Sequence, residues 1–248
     1  MNRKEGVNGS YVELYPGSDY DPTEFERACI TVDTCICRIQ GKTLQILMSK
    51  RNNEPFIGSW GFPGGFVDIT GGESLEQASY RTLKTKTGAS GIPVRQLGTY
   101  GAPLRDPRWR IITVVYYALV NNTIIDGDVF QGLSENEQEL EHCWTSVTDP
   151  GPMAFDHVRI LEDLVQRLQV QIKQTDIAFE MVPAEFTWSQ LQTVYETVLD
   201  RSLPAGNFRR DISRIYDIKK LDRLEYGKGR GKGRTGALLN YKGIKTFP

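Results

Sequence analysis

Thr82, Thr85 and Lys86 fall at i, i+3 and i+4, the spacing that puts side chains on one face of a helix. They lie in GFVDITGGESLEQASYRTLKTKTGA, residues 65–89, a glycine turn followed by an amphipathic stretch. Such a face holds a divalent cation when it carries carboxylates, because magnesium is a hard ion that takes oxygen ligands. A metal bound there could act as a Lewis acid and activate water. This face offers two neutral hydroxyls and an ammonium instead. The ammonium repels a cation and attracts an anion, so the residue types favour holding an anionic group over binding a metal.

The elements that must position this face can be read from local signals. Ser74 is placed to cap the helix, with Glu76 and Gln77 in its first turn. Leu75, Ala78, Thr82 and Leu83 form the expected inward stripe, and Gly88 suits a left-handed stop. Glu73 and Arg81 are expected to pair and brace the preceding loop. Upstream, ACITVDTCICRIQ and LQILMSKR alternate as two strands around a Gly41-Lys42 turn. FIGSWGFPGGFV demands tight backbone paths. RIITVVYYALV reads as a strand from its β-branched and aromatic content, and HCWTSV as a shorter one. HVRILEDLVQRLQVQI has helical spacing, with Asp156 as the expected cap.

The formal net charge of −1 hides an asymmetry. From Ala205 to Pro248 there are twelve Lys or Arg against four acids, a net +8, which leaves −9 for residues 1–204. A split of that size predicts two modules with different partners. In EFTWSQLQTVYETVLD, Thr187 and Gln190 have the capping-box spacing, and Phe186 with Leu191 fits a hydrophobic staple. After the SLPAG turn, NFRRDISRIYDI reads as a second helix capped by Asn207. Phe208, Ile212 and Ile215 are expected to face inward, with Arg209, Arg210 and Arg214 facing out. KLDRLEYGKGRGKGRTGALLNYKG then reads as strand, basic glycine loop and strand. Helix, turn, basic helix and basic hairpin is the order of a winged helix-turn-helix, whose second helix enters the major groove. Lys228, Arg230, Lys232 and Arg234 on the loop suit phosphate or minor-groove contact.

No stretch approaches the run of about twenty apolar residues that spans a bilayer. Residues 1–25 lack the apolar core of a signal peptide and read as a flexible leader. Cys29, Cys35, Cys37 and Cys143 form no C-x-x-C pair, and with only two histidines the sequence shows no zinc-site spacing. The first three are expected to pack as small apolar residues. This suits a reducing cytoplasm.

Residues 65–89 resemble the Nudix box: Gly, five residues, Glu, seven residues, then Arg-Glu-U-x-Glu-Glu-x-Gly-U, with U aliphatic. Gly65, Glu73, Arg81, Leu83 and Gly88 keep its frame. Thr82, Thr85 and Lys86 stand where the three metal-binding glutamates would. Seven residues rather than five separate Gly65 from Glu73. KRNNEPFIGSWGFPGGFVD, LRDPRWRIITVVYYAL and PMAFDHVRIL are similar to segments of ADP-ribose-type Nudix proteins. EFTWSQLQTVYETVLDRSLPAGNFRRDI is similar to the DNA-binding half of the Nudix-related transcriptional regulators, the NrtR family. Only the wing departs, reading GKGRTGALLNY where that family often shows Gly-Arg-Pro-Ala.

The resemblance implies an α/β fold, the Nudix α/β/α sandwich, over residues 26–175. An α+β winged helix-turn-helix would follow over 183–248. It implies a homodimeric, cytoplasmic bacterial regulator, often of NAD metabolism, that senses ADP-ribose or a related nucleotide and binds a double-stranded DNA operator. Carried over by position, Arg51, Arg105 and Arg108 would hold the diphosphate, Phe56 and Trp60 would stack on adenine, and Gly64 and Gly65 would admit the ligand to the backbone. Asp106, Phe155, Asp156 and His157 are secondary pocket residues, His157 being the one best explained as a satisfied histidine at a helix start. Lys86 joins the anion site. Thr187, Asn207, Arg209, Arg210 and Arg214, with the wing cations, would face DNA. No cofactor, catalytic residue or metal is implied. Two other readings stay open. One is a working diphosphatase whose metal site is rebuilt from Glu73, Asp68 or a glutamate among 135, 137, 139 and 141. The other is a nucleotide-binding scaffold whose basic tail grips RNA or protein.

Overall fold

The computed structural model describes residues 26–122, 141–224 and 237–245. The leader, Glu135, Glu137 and Glu139, and the wing residues Lys228, Arg230, Lys232 and Arg234 lie outside the described residues. β1 (Cys29–Gln40) and β2 (Thr43–Lys50) pair antiparallel around Gly41, whose φ of 62° suits glycine. β3 (Trp60–Gly61), β4 (Gly64–Phe66), α1 (Leu75–Thr87), β5 (Arg95–Tyr100), β6 (Ile111–Leu119), β7 (His142–Ser146) and α2 (His157–Gln174) follow. The sheet runs β3-β2-β1-β6-β5, with β4 beside β1 and β7 beside β2; β1 and β6 are parallel and the other neighbours antiparallel.

Alternation along β1 buries both faces of the sheet. Val32, Thr34 and Ile36 turn to α1, sharing clusters with Ala78 and Leu83, and the Thr34 hydroxyl meets Ser79 Oγ at 2.8 Å. Cys35 and Cys37 turn to α2, joining Ile160, Leu164, Leu168 and Ile172. Each of these α2 side chains is fully buried, worth about 1.5–3 kcal/mol apiece before entropy. The expected sandwich is therefore present. Cys29 is exposed at the strand start, contrary to its expected packing, because the chain reaches the sheet interior only at Thr31. Leu75, the first helical residue, is also exposed, and Ser79 takes the inward place.

The C-terminal half begins with a 3-10 turn (Ile177–Met181), then α3 (Trp188–Leu199), α4 (Ala205–Ile215), β8 (Tyr216–Leu224) and β9 (Ala237–Ile244). β8 and β9 are antiparallel, and Phe186 adds a bridge to Leu239, exchanging backbone hydrogen bonds of 3.0 and 2.7 Å. The Thr187 capping box forms as expected: its hydroxyl accepts from Gln190 N at 3.2 Å and its N–H donates to Gln190 Oε1 at 2.7 Å. Asn207 does not cap. The helix starts two residues earlier, after Pro204, whose fixed φ favours helix entry and whose carbonyl accepts from Phe208 N. Ile215 is exposed rather than inward.

The two halves are fused through their interiors. Ile177, Ala178 and Met181 of the 3-10 turn lie in one apolar cluster with Ile172 of α2, Leu191 and Val198 of α3, Phe208 of α4 and Leu239 of β9. Tyr216 Oη donates to Thr175 O at 2.7 Å, and Tyr241 Oη to Asp176 Oδ2 at 2.7 Å. Arg95 of β5 grips Glu180 with both terminal nitrogens of its guanidinium. Among the described residues no helix is long and apolar enough to cross a membrane.

Candidate functional site

The end of α1 and the glycine-rich strand β4 form the floor of a cleft. α1 begins with a capping box between Ser74 and Gln77 and ends at Gly88 with φ 71°. Before it, Arg81 donates to both oxygens of Glu73 and to the carbonyl of Phe66, as expected of a brace. The hydrogen bond from Arg81 holds the Glu73 carboxyl at about 2, helped by the Asp68 N–H. That carboxylate is committed to the loop. Beside it, β4 lies so close to β1 that a methyl on Gly64 would sit under 3.0 Å from Asp33 Oδ1 and the Val32 carbonyl. A methyl on Gly65 would meet Thr82 Cγ2 at 3.1 Å. The glycines are thus explained first by strand–strand and strand–helix approach.

The helical face itself carries no carboxylate at positions 82, 85 and 86. Thr82 is buried and donates its hydroxyl to Ser79 O at 3.0 Å. Thr85 donates to Arg81 O at 3.0 Å. Lys86 lines a cleft of about 110 Å³ together with Ser49, Lys50, Arg51, Asn53 and Gly64. Lys50 is paired with Glu141 at 2.7 Å. The side chain of Lys86 makes no hydrogen bond or ion pair with any described residue. The donor set does not suit magnesium: two hydroxyls turned into their own helix and one ammonium.

Above this floor stands a rim of arginine and phenylalanine. Arg51 donates to Pro55 O at 2.8 Å and Asn53 O at 3.3 Å, and its guanidinium lies 4.6 Å from the Phe155 ring centre. Phe155 meets Phe56 edge-on at 5.0 Å. Both phenylalanines have left-handed backbones, φ 54° and 63°. Such conformations cost about 1–3 kcal/mol each for non-glycine residues and cluster at ligand sites. Arg108 faces Phe66 at 5.4 Å and Phe155 at 5.9 Å while forking onto Asp106 at 2.7 and 3.0 Å.

Other expected pocket residues have structural partners. Arg105 is buried, its side chain 3% exposed, and pairs two-point with Asp156 at 3.0 and 2.8 Å. Asp156 consequently makes no side-chain cap for α2. Trp60 is half-buried against the core, with Lys50 Nζ 5.8 Å from its ring. His157 is buried, and its Nδ1 accepts from Phe62 N at 3.1 Å. Burial pushes its pKa down, so it is neutral with its Nε2 proton toward Asp33, 3.9 Å away. The Asp33 carboxylate, not singled out by sequence, also accepts from Thr113 at 2.7 Å. Among the described residues no three His, Cys, Asp or Glu gather as a metal site.

In the C-terminal half, α4 buries Phe208 and Ile212 and exposes Asn207, Arg209, Arg210 and Arg214. Arg210 pairs loosely with Asp211 at 3.1 Å, both well exposed. Thr187 is buried and occupied by its capping box, so it acts on α3 rather than at a DNA surface.

A mixed sheet between two helices, joined to helix, turn, basic helix and hairpin, is the architecture of a Nudix fold carrying a winged helix. Residues 29–167 match the NUDIX domain, and residues 178–234 match the NrtR DNA-binding winged helix domain. An Acinetobacter baylyi protein, "ADPR responsive transcriptional repressor NtrR", is 30% identical over 83% of this chain and 80% of its own. The crystal structure of Shewanella oneidensis NrtR complexed with a 27mer DNA superposes with a TM-score of 0.68 at 29% identity, covering 86% of this chain and 93% of that one. The Nudix domain of the same protein, cocrystallised with ADP ribose, gives 0.51 at 35% identity over 60% of this chain and 94% of that one. An ADP-ribose pyrophosphatase of Methanocaldococcus jannaschii is 34% identical over 50% of this chain and 68% of its own. The chain belongs to the NrtR family of Nudix-related transcriptional regulators.

Proposed function

We propose that this chain is a transcriptional repressor that binds ADP-ribose in the cleft between α1, β4 and the Arg51–Phe155 rim and releases its operator in response. α4 enters the major groove as part of a homodimer in the cytoplasm, and the regulated genes serve NAD metabolism. The nucleotide is held without being cut. The observation that carries this reading is the exposed row of Arg209, Arg210 and Arg214 on a helix whose opposite face is locked into the core shared with the cleft. Arginine can fork onto guanine O6 and N7 there. The effector assignment draws on the ADP ribose complex of the Shewanella protein and the name of the Acinetobacter one.

A mobility-shift titration with DNA from upstream of the chain's own gene and its neighbours tests the reading. A specific band that fades on adding ADP-ribose supports it; no specific band at any salt concentration overturns it. The second reading, diphosphatase activity, is favoured by the Methanocaldococcus relative. Incubation with ADP-ribose and magnesium or manganese, followed by chromatography for AMP and ribose 5-phosphate, separates the two.

A further inference from the structure

We infer that Lys86 replaces the divalent cation at this site, so that the diphosphate of the effector is bound without any metal. The inference rests on the ADP-ribose reading above. In the Nudix pattern the helical positions 82, 85 and 86 gather negative charge to hold a metal, and the metal then neutralises the diphosphate. Here the first step is missing: positions 82, 85 and 86 carry no carboxylate, only two neutral hydroxyls, which donate to Ser79 O and Arg81 O, and an ammonium. Among the described residues, three carboxylates near the floor have other partners. Glu73 is braced by Arg81, Asp106 by Arg108, and Asp33 accepts from Thr113.

The second step survives by a shorter route. Lys86 lines the same cleft as Arg51, Ser49, Asn53 and Gly64. Lys50, the neighbouring ammonium, is paired with Glu141, whereas the Lys86 side chain has no partner among the described residues. A lysine in the last turn of a helix is also favoured by the helix dipole, which accounts for a cation there but not for its place in the cleft. An ammonium and a guanidinium lining one cleft supply a diphosphate with the neutralisation that a bound magnesium would supply. They do so without polarising water, which suits retention over hydrolysis.

Calorimetric titration of the full chain with ADP-ribose, and separately with inorganic pyrophosphate, in EDTA and in magnesium, tests this. Wild-type affinity for ADP-ribose should be the same in both buffers, within about twofold. Lys86→Ala should lower it roughly ten- to hundredfold, the worth of one charge-assisted hydrogen bond, and Lys86→Arg should keep most of it. Melting temperatures of the variants, unchanged from wild type, show that the fold is intact. Binding that needs magnesium, or binding indifferent to Lys86→Ala, overturns the inference while leaving the effector reading standing. If ADP-ribose fails to bind in either buffer, the effector reading falls. The pyrophosphate arm then decides: binding in EDTA that Lys86→Ala weakens supports the lysine's role, and its absence overturns it.

Discussion

Tyr241 of β9 lies flat on Phe179 of the 3-10 turn, ring centres 3.9 Å apart and planes 7° from parallel. Its hydroxyl reaches past that ring to Asp176 at 2.7 Å. One aromatic stack thus ties the last strand of the winged half to the segment leaving α2. Phe179→Ala should destabilise the whole chain by about 2–3 kcal/mol, less than the 3–5 kcal/mol of a fully buried ring. Urea unfolding followed by both tryptophan fluorescence and circular dichroism checks this. A single shifted transition is expected, and two separated ones would contradict the shared core.

Gly64 and Gly206 make opposite predictions for the same change. Gly64→Ala forces a methyl onto Asp33 and the Val32 carbonyl, parting β4 from β1. A loss of about 1–3 kcal/mol is expected, with effector binding abolished. Gly206, in the first turn of α4, has nothing within 4 Å of an added methyl, and Gly206→Ala should gain up to about 1 kcal/mol. Thermal melts of the two variants side by side decide the matter.

On α4, Arg209→Ala or Arg210→Ala should weaken operator binding by about 1–3 kcal/mol if that side chain forks onto a guanine, with little loss on random DNA. Equal losses on both DNAs would place these arginines on phosphates instead. Fluorescence anisotropy at several salt concentrations provides the comparison.

Both histidines are pushed toward their neutral forms by burial, His157 and His142 alike. Their folded values lie below the ordinary value of about 6.5, so the unfolded chain binds more protons in between. Their contribution to stability is complete above that value and lost as pH falls through it toward the folded values. The melting temperature should therefore decline as the pH falls below about 6.5. Replacing His157 by Gln should flatten part of that decline even if it lowers stability at pH 7.5.

Much of this fold was legible because its signals are local. The capping boxes at Ser74–Gln77 and Thr187–Gln190 each need two residues three apart, and both formed. The Glu73–Arg81 brace spans only eight positions. What sequence missed depends on distant partners. Arg105 reads as a free phosphate ligand until Asp156, 51 residues on, claims it. The strand β5 carries little local signal: RQLGTY is short, holds a central glycine and bulges between Gln96 and Gly98, which breaks its alternation. The 3-10 turn has too few residues to show a period. Asn207 misled because a good capping residue stood two positions inside a helix that Pro204 had already opened.

The buried seam at Ile177, Ala178 and Met181 bears on anyone who would exchange reading heads between relatives. A graft spliced after Asp176 would carry Phe179, Tyr216 and Tyr241 together onto a foreign helix and part the two tyrosines from their acceptors at Thr175 and Asp176. Grafts that carry the 3-10 turn and the far end of α2 along with the winged half would keep both sides of the joint. Specificity for operator sequence is therefore portable only together with the surface that listens to the sensor.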